Sequence, residues 1–228
     1  MKTSQQLTKN DTNAASFGWM AAISILPALF LPFYNQVLHG GRTAAAILPR
    51  STAYAAAHII GAMCMFLAVF GLIALFGTFG KKLGRLGSIG FGTALLAQMM
   101  FAGNLLIDGF FNPLLAKFDP VLQTQLHSSN FVHTASSHSN YLSGLLGKAY
   151  LFDPITGILY AAGFIMLGVS ILRSRTLPRT IGALFIVGSC LLSIAIMIPQ
   201  WLESIGYACI GFGIAWASWL VILKAKKV

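Results

Sequence analysis

The chain has 228 residues, 57% of them hydrophobic and 9% charged, against about 25% charged in an ordinary soluble domain, so it cannot build a water-soluble surface. Fifteen Lys and Arg against five Asp and Glu give a formal charge of +10. In a soluble chain that excess would suggest nucleic acid, but here the apolar background demands a membrane explanation, and no polar domain remains to dock on a nucleic acid.

In chain order, residues 1–16 are mostly polar and read as an N-terminal tail. Runs with no Lys, Arg, Asp or Glu follow at 17–37, 53–79, 86–111, 155–172, 181–198 and 205–223, the third interrupted near its end by Asp108. About 20 apolar residues rising about 1.5 Å each cross a hydrocarbon core of about 30 Å, and backbone groups in lipid must pair within their own segment, so each run is predicted to be a transmembrane helix. A barrel would need short alternating segments, whereas 63–76 is apolar on every face. The first run follows a long polar lead and precedes no clean small-residue cleavage site, so it reads as a retained helix, kinked by Pro27 and Pro32.

The gap at 80–85 predicts a tight hairpin, as does 173–179, where Pro178 marks the turn. Two connections are longer, 35–52 and 112–154. In the second, Asp119-Pro120 and Asp153-Pro154 each set an N-cap before a proline suited to the first helical position, so helices are predicted to start at Pro120 and Pro154. Between them, 141–152 carries an apolar stripe fit for an interfacial helix. The expectation is an all-α polytopic membrane protein. It has one six-helix domain over 17–223, a structured outer connection at 112–154 and a basic tail at 224–228.

Lys and Arg gather at 81–85, 173–179 and 224–227, with an even number of predicted spans between successive clusters. All three therefore share a side, which the positive-inside rule makes cytoplasmic, and both termini follow to it. Arg42, Arg50, Lys117 and Lys148 on the other side balance Asp108, Asp119, Asp153 and Glu203. Trp19, Trp216 and Trp219 near inner ends and Trp201 near an outer end fit interfacial belts. The bilayer is one expected partner, with anionic lipids at the basic face.

All five histidines, His39, His58, His127, His133 and His138, fall on the outer half with four of the acids. Asn104, Asp108 and Asn112 recur every four residues and form one polar stripe. His58 lies at a comparable depth in the second run. An acid inside a span is expensive, so Asp108 should face protein or a water-filled cavity. Asp108, Asn104, Asn112 and His58 are the candidate ligand-binding residues, and His58, Asp108, His133 and His138 are the weaker candidates for a metal, since no HxH or HxxxH spacing joins them. Asp119 and Asp153 are explained as caps, and Glu203 by the helix dipole at the start of the sixth run. No nucleophile elbow, zinc-protease pair, P-loop or C-x-x-C is present, so no catalytic residue or cofactor is assigned. Ala53, Ala57 and Gly61, and Cys209, Gly213 and Ala217, form small-residue faces suited to close packing within the chain, with a second copy or with partner helices.

The hairpin Leu172-Arg173-Ser174-Arg175-Thr176-Leu177-Pro178-Arg179, followed by Ile181-Gly182 and an apolar run, resembles the fourth-to-fifth helix connection of small six-helix bacterial membrane proteins of unknown function. The resemblance covers that hairpin and the layout of spans. It implies six helices and a multi-pass location in the inner (cytoplasmic) membrane, and it brings no functional residues. The expected function is an outward-facing polar pocket that binds a small polar or cationic ligand, with or without transport. The alternatives are a structural or accessory subunit of a membrane complex, and a membrane-embedded metal-assisted or acid/base enzyme.

Overall fold

The computed structural model describes residues 4–33, 43–126, 152–194 and 198–226. Every regular element among them is helical: α1 (Ser4–Phe33), the short α2 (Ala44–Ile47) continued by a 3-10 turn (Leu48–Arg50), α3 (Ser51–Phe118), α4 (Pro120–Leu126), α5 (Phe152–Ser174), α6 (Arg179–Ser193) and α7 (Gln200–Ala225). Four stretches, Asn13–Phe33, Ala44–Phe118, Pro154–Ser174 and Gln200–Ala225, are long and apolar enough to cross a membrane, and α6 is a shorter apolar helix of 15 residues. The chain thus has the helices of a multi-pass integral membrane protein. Large apolar side chains such as Leu26, Ile158 and Leu96 point outward, as do all four tryptophans, which is the arrangement expected where the surrounding medium is lipid.

The 68 residues of α3 are two rods, broken at a single residue, Gly84, with φ 68° and ψ −169°. The limbs, 51–83 and 85–118, fold back on each other. Phe76 stacks on Phe91 at 4.2 Å, and Gln98 bonds to Met65 further along, so residues of one limb meet residues of the other on either side of Gly84. The turn is tighter than the six-residue gap predicted from the sequence. Lysines and arginines are good helix formers, and both limbs wind through them up to the one residue that only glycine accommodates readily.

The other rods run up and down around this hairpin. Ser24 of α1 packs at Gly71 and Phe17 at Gly77, which sets α1 antiparallel to the first limb. Ser170 of α5 donates to the Leu83 carbonyl and Tyr160 to Gln98, which sets α5 antiparallel to the second. Ser193 of α6 reaches the Gly157 carbonyl of α5 at 3.0 Å, Gly188 of α6 packs against Gly206 of α7, and Ser24 and Ser218 join α1 to α7 at 2.9 Å. The ring therefore closes in the order α1, first limb, second limb, α5, α6, α7. An aromatic ladder fills its middle: Tyr207, Phe101, Tyr160, Phe164 and Phe185 follow one another with centroids 4.6–6.0 Å apart, tying four rods together.

One consequence is that the three basic clusters meet at one end of the bundle, around the Gly84 turn, the α5–α6 turn and the end of α7. Lys224 there donates to the Thr78 carbonyl at 3.2 Å and lies 4.7 Å from the centroid of the Phe79 ring, serving the last carbonyls of the first limb. Asp108, Asp119 and Glu203 stand toward the opposite end, where α2 and α4 pack on each other.

Several boundaries differ from the sequence reading. Helix α1 reaches back to Ser4, because a helix once nucleated propagates through the Gly- and Pro-free 4–16 at one bond per residue, so most of the expected tail is helical. It also runs on through Pro27 and Pro32 to Phe33. Proline 32 has no N–H for the Ala28 carbonyl, and that carbonyl is where α7 comes closest, at Gly211, since a Cβ on residue 211 would collide with its oxygen. Helix α5 starts at Phe152, two residues before the predicted Pro154, and α6 ends at Ser193, short of 198. The helix at Pro120 starts where expected, with Asp119 accepting from the Leu122 N–H at 3.0 Å. The predicted interfacial helix at 141–152 lies, but for its last residue, outside the described residues, as do His39, His127, His133 and His138.

A Cβ on residue 84 would meet nothing within 4 Å. Gly84→Ala therefore isolates the backbone conformation, and it is expected to lower stability by about 1–3 kcal/mol, read from unfolding in a detergent titration.

Candidate functional site

The sequence-predicted polar residues divide between two helix interfaces. On the first limb, His58 is buried and its Nδ1 lies 2.8 Å from the Tyr54 carbonyl, one turn back. A carbonyl can only accept, so Nδ1 carries the proton, and Nε2 is the basic nitrogen of the neutral ring. The His58 and Tyr54 rings lie 4.1 Å apart. The second limb passes close at this level because residue 109 is glycine, and a Cβ there would stand 2.8 Å from His58 Cβ.

One turn beyond, Asn112 is fully buried and spends both amide hydrogens. One goes to the Tyr54 hydroxyl at 3.1 Å and the other to Asp108 Oδ1 at 3.3 Å. His58 and Asp108 thus belong to one string, His58–Tyr54–Asn112–Asp108, which spans the hairpin. A half-buried carboxylate at this depth is tolerable only with donors beside it, and Asn112 is one. Asn104, the third member of the stripe, turns away from this string and donates to Thr156 Oγ1 of α5 at 3.2 Å. Successive residues four apart advance about 40° around a helix, which over two turns carries the stripe from one neighbour to the next.

Deeper in the bundle is a polar knot that the sequence reading did not single out. Gln98 is 0% exposed; its Nε2 donates to the Met65 sulfur at 2.8 Å and meets the Met65 carbonyl at 3.4 Å, while its Oε1 accepts from the Tyr160 hydroxyl at 3.0 Å. One amide thereby joins both limbs of α3 to α5. The signal was available, because Gln98 is the sole amide in the middle of the 86–111 run. A search for formal charges passes over it, although an unpaired amide in an apolar core is also costly.

Glu203, assigned from sequence to the helix dipole alone, is 9% exposed in the first turn of α7. It lies one turn from Tyr207, and Tyr207 meets Phe101 of the second limb edge-on at 6.0 Å. Asp108 lies seven residues from Phe101 in the same direction along the bundle. Spacings of four and seven residues return to the same helix face, so Glu203 and Asp108 stand on facing sides of α7 and the second limb, about 6 and about 10 Å beyond the Tyr207–Phe101 contact. Asn104, about 4.5 Å beyond Phe101, and Thr156, about 6 Å beyond Tyr160, lie close to the lower of those heights.

Among the described residues no three His, Cys, Asp or Glu side chains come together as a metal set, and the loop candidates His133 and His138 lie outside them. An open cleft of about 450 Å³ lies between α2 and α4, lined by Thr43, Ala44, Ala45, Pro120, Val121 and Thr124 and by none of the predicted site residues. Of the small-residue faces, Ala57, Gly61, Gly213 and Ala217 are buried within the chain and Ala53 is exposed. No family model matches the chain, and no match is found among curated proteins or solved structures.

The Gln98 knot makes a measurable prediction. Tyr160→Phe removes the donor to a buried acceptor and is expected to cost about 0.5–2 kcal/mol. Combined with Gln98→Leu it should cost clearly less than the two single changes together, and a double-mutant cycle on unfolding in detergent reads the difference.

Proposed function

We propose that the chain crosses the membrane six times with its basic end and both termini in the cytoplasm, and that the opposite end binds a small cationic ligand through Asp108 and Glu203. The observation that carries this reading is the placement of the two carboxylates on facing helices in one polar layer, inside an otherwise apolar bundle. Ionised carboxylates inside a medium of low dielectric are costly, and a cation bound beside them would offset that cost. Asn104, Thr156 and Asn112 add neutral donors and acceptors around the layer, and His58 reaches it through Tyr54. A binding module is the core of the proposal; transport is a further step that needs two alternating states.

A second reading is favoured by a specific observation. Asn104 and Asn112 spend their amides on Thr156 and Tyr54 of neighbouring rods, as residues that fasten a scaffold do. In that case the chain is a structural or accessory subunit, and Asp108 serves the hairpin.

Thermal unfolding of the purified protein with a panel of monovalent and divalent metal cations and small protonated amines separates the two. The binding reading expects at least one member to raise the melting temperature of the wild type, with the shift lost in both Asp108→Asn and Glu203→Gln. No shift from any member, or equal shifts in the variants, favours the scaffold. Orientation is tested separately: a fluorescent protein fused after Val228 should fold and fluoresce, while an export-dependent phosphatase at the same place should stay inactive.

A further inference from the structure

We propose that the surface in contact with lipid is a band about 30 Å tall, from the Gly84 turn to the height of the Asn104–Thr156 bond, and that the rest of the α3 hairpin stands beyond the hydrocarbon as a small head together with α2 and α4. The partner this band fits is a bilayer of ordinary thickness. The inference depends neither on a ligand at Asp108 and Glu203 nor on which end is cytoplasmic, so it stands or falls apart from both.

Two rods stop at the upper edge of the band. From Gly84 to Asn104 the second limb climbs 20 residues, about 30 Å. Asn104 bonds to Thr156 of α5, and Ser193, the last residue of α6, bonds to the next carbonyl, that of Gly157. Gly206 of α7 packs against Leu192, and α7 starts at Gln200, about 9 Å further out. The chain leaves helical geometry on both sides of this connection, with ψ 19° at Ile194 and 145° at Pro199. A helix end leaves backbone groups without intrahelical partners, which hydrocarbon does not accept, so the shared height of these two ends marks where acyl chains stop.

Formal charges mark the same two edges. No Asp, Glu, Lys or Arg falls between Arg85 and Asp108 on the second limb, between Asp153 and Arg173 along α5, or between Glu203 and Lys224 along α7, intervals of about 30–35 Å each. Three rods thus repeat one hydrocarbon thickness. Leu96, Ile158 and Phe212 lie inside these intervals and are exposed.

Beyond Asn104 the second limb runs on to Phe118, about 21 Å further. This extension has a core of its own, Ala44, Ile47, Tyr54 and Ala116, separate from the cluster that fills the bundle. Helices α2 and α4 pack on α3 and on each other there. Exposed cations return on it, at Arg50 and Lys117. Leu114, Phe118 and Val121 are exposed as well, so hydropathy alone would draw the membrane over the head. The ends of α6 and α7 and the charge intervals place the edge below it.

The test is labelling of single added cysteines by a charged maleimide in opened membrane fragments, where both faces are reached. A thiol reacts as its thiolate, which hydrocarbon suppresses, so Phe118→Cys and Val121→Cys should label at least about tenfold faster than Leu96→Cys, Ile158→Cys and Phe212→Cys. All five should label fully after unfolding in sodium dodecyl sulfate. The wild type supplies a band site that needs no substitution: Cys190 of α6 is exposed, one turn before Ser193, and should stay unlabelled in the membrane. Head cysteines as slow as the band cysteines, or rapid labelling of Cys190 in the wild type, would each overturn the proposal.

Discussion

A helix that leaves water for lipid gains nothing further in hydrophobic energy when it meets another helix, because lipid tails are as apolar as leucine. Association then depends on close packing and on polar groups that find no water. This constraint organises the bundle. Gly90, Gly109 and Gly211 mark levels where two rods come nearly into backbone contact, and hydrogen bonds cross between most neighbouring rods: Ser24 with Ser218, Gln98 with Met65 and Tyr160, Asn104 with Thr156, Ser193 with Gly157. At the α6–α7 contact, Gly188 and Gly206 do the same work by proximity alone.

The same constraint sorts the polar residues by role. Gln98, buried among Met65, Tyr160 and the aromatic ladder, has both ends of its amide occupied and is structural. Asp108 and Glu203 differ because an ionised carboxyl loses more hydration on burial than an amide does. Their common layer lies beyond the aromatic ladder on the neutral side of the bundle, while the cations collect at the other end. The +10 of the whole chain is therefore an axial separation rather than a uniform property.

Short helix α6 bears on the layer. Its 15 residues rise about 22 Å, less than a hydrocarbon core of about 30 Å. Ser193, its last residue, is level with Gly157 of α5, next to Thr156, and therefore with the Asn104–Thr156 bond.

Composition and hydropathy by themselves determined a membrane-embedded, all-helical chain, and the even spacing of basic clusters determined that these share one end, because hydrocarbon thickness and charge cost are properties of a segment and need no partner. The Asp119 cap and the two tight turns were legible for the same reason. Only the tertiary structure decided that the stripe 104–108–112 is divided between two interfaces, that His58 reaches Asp108 through Tyr54 and Asn112, that Gln98 is the central knot, and that Glu203 is buried. Those relations depend on which helix faces meet and at what height, and close glycine contacts together with a one-residue turn at Gly84 set both. A helical period places a residue on a face, but the neighbour of that face lies elsewhere in the chain.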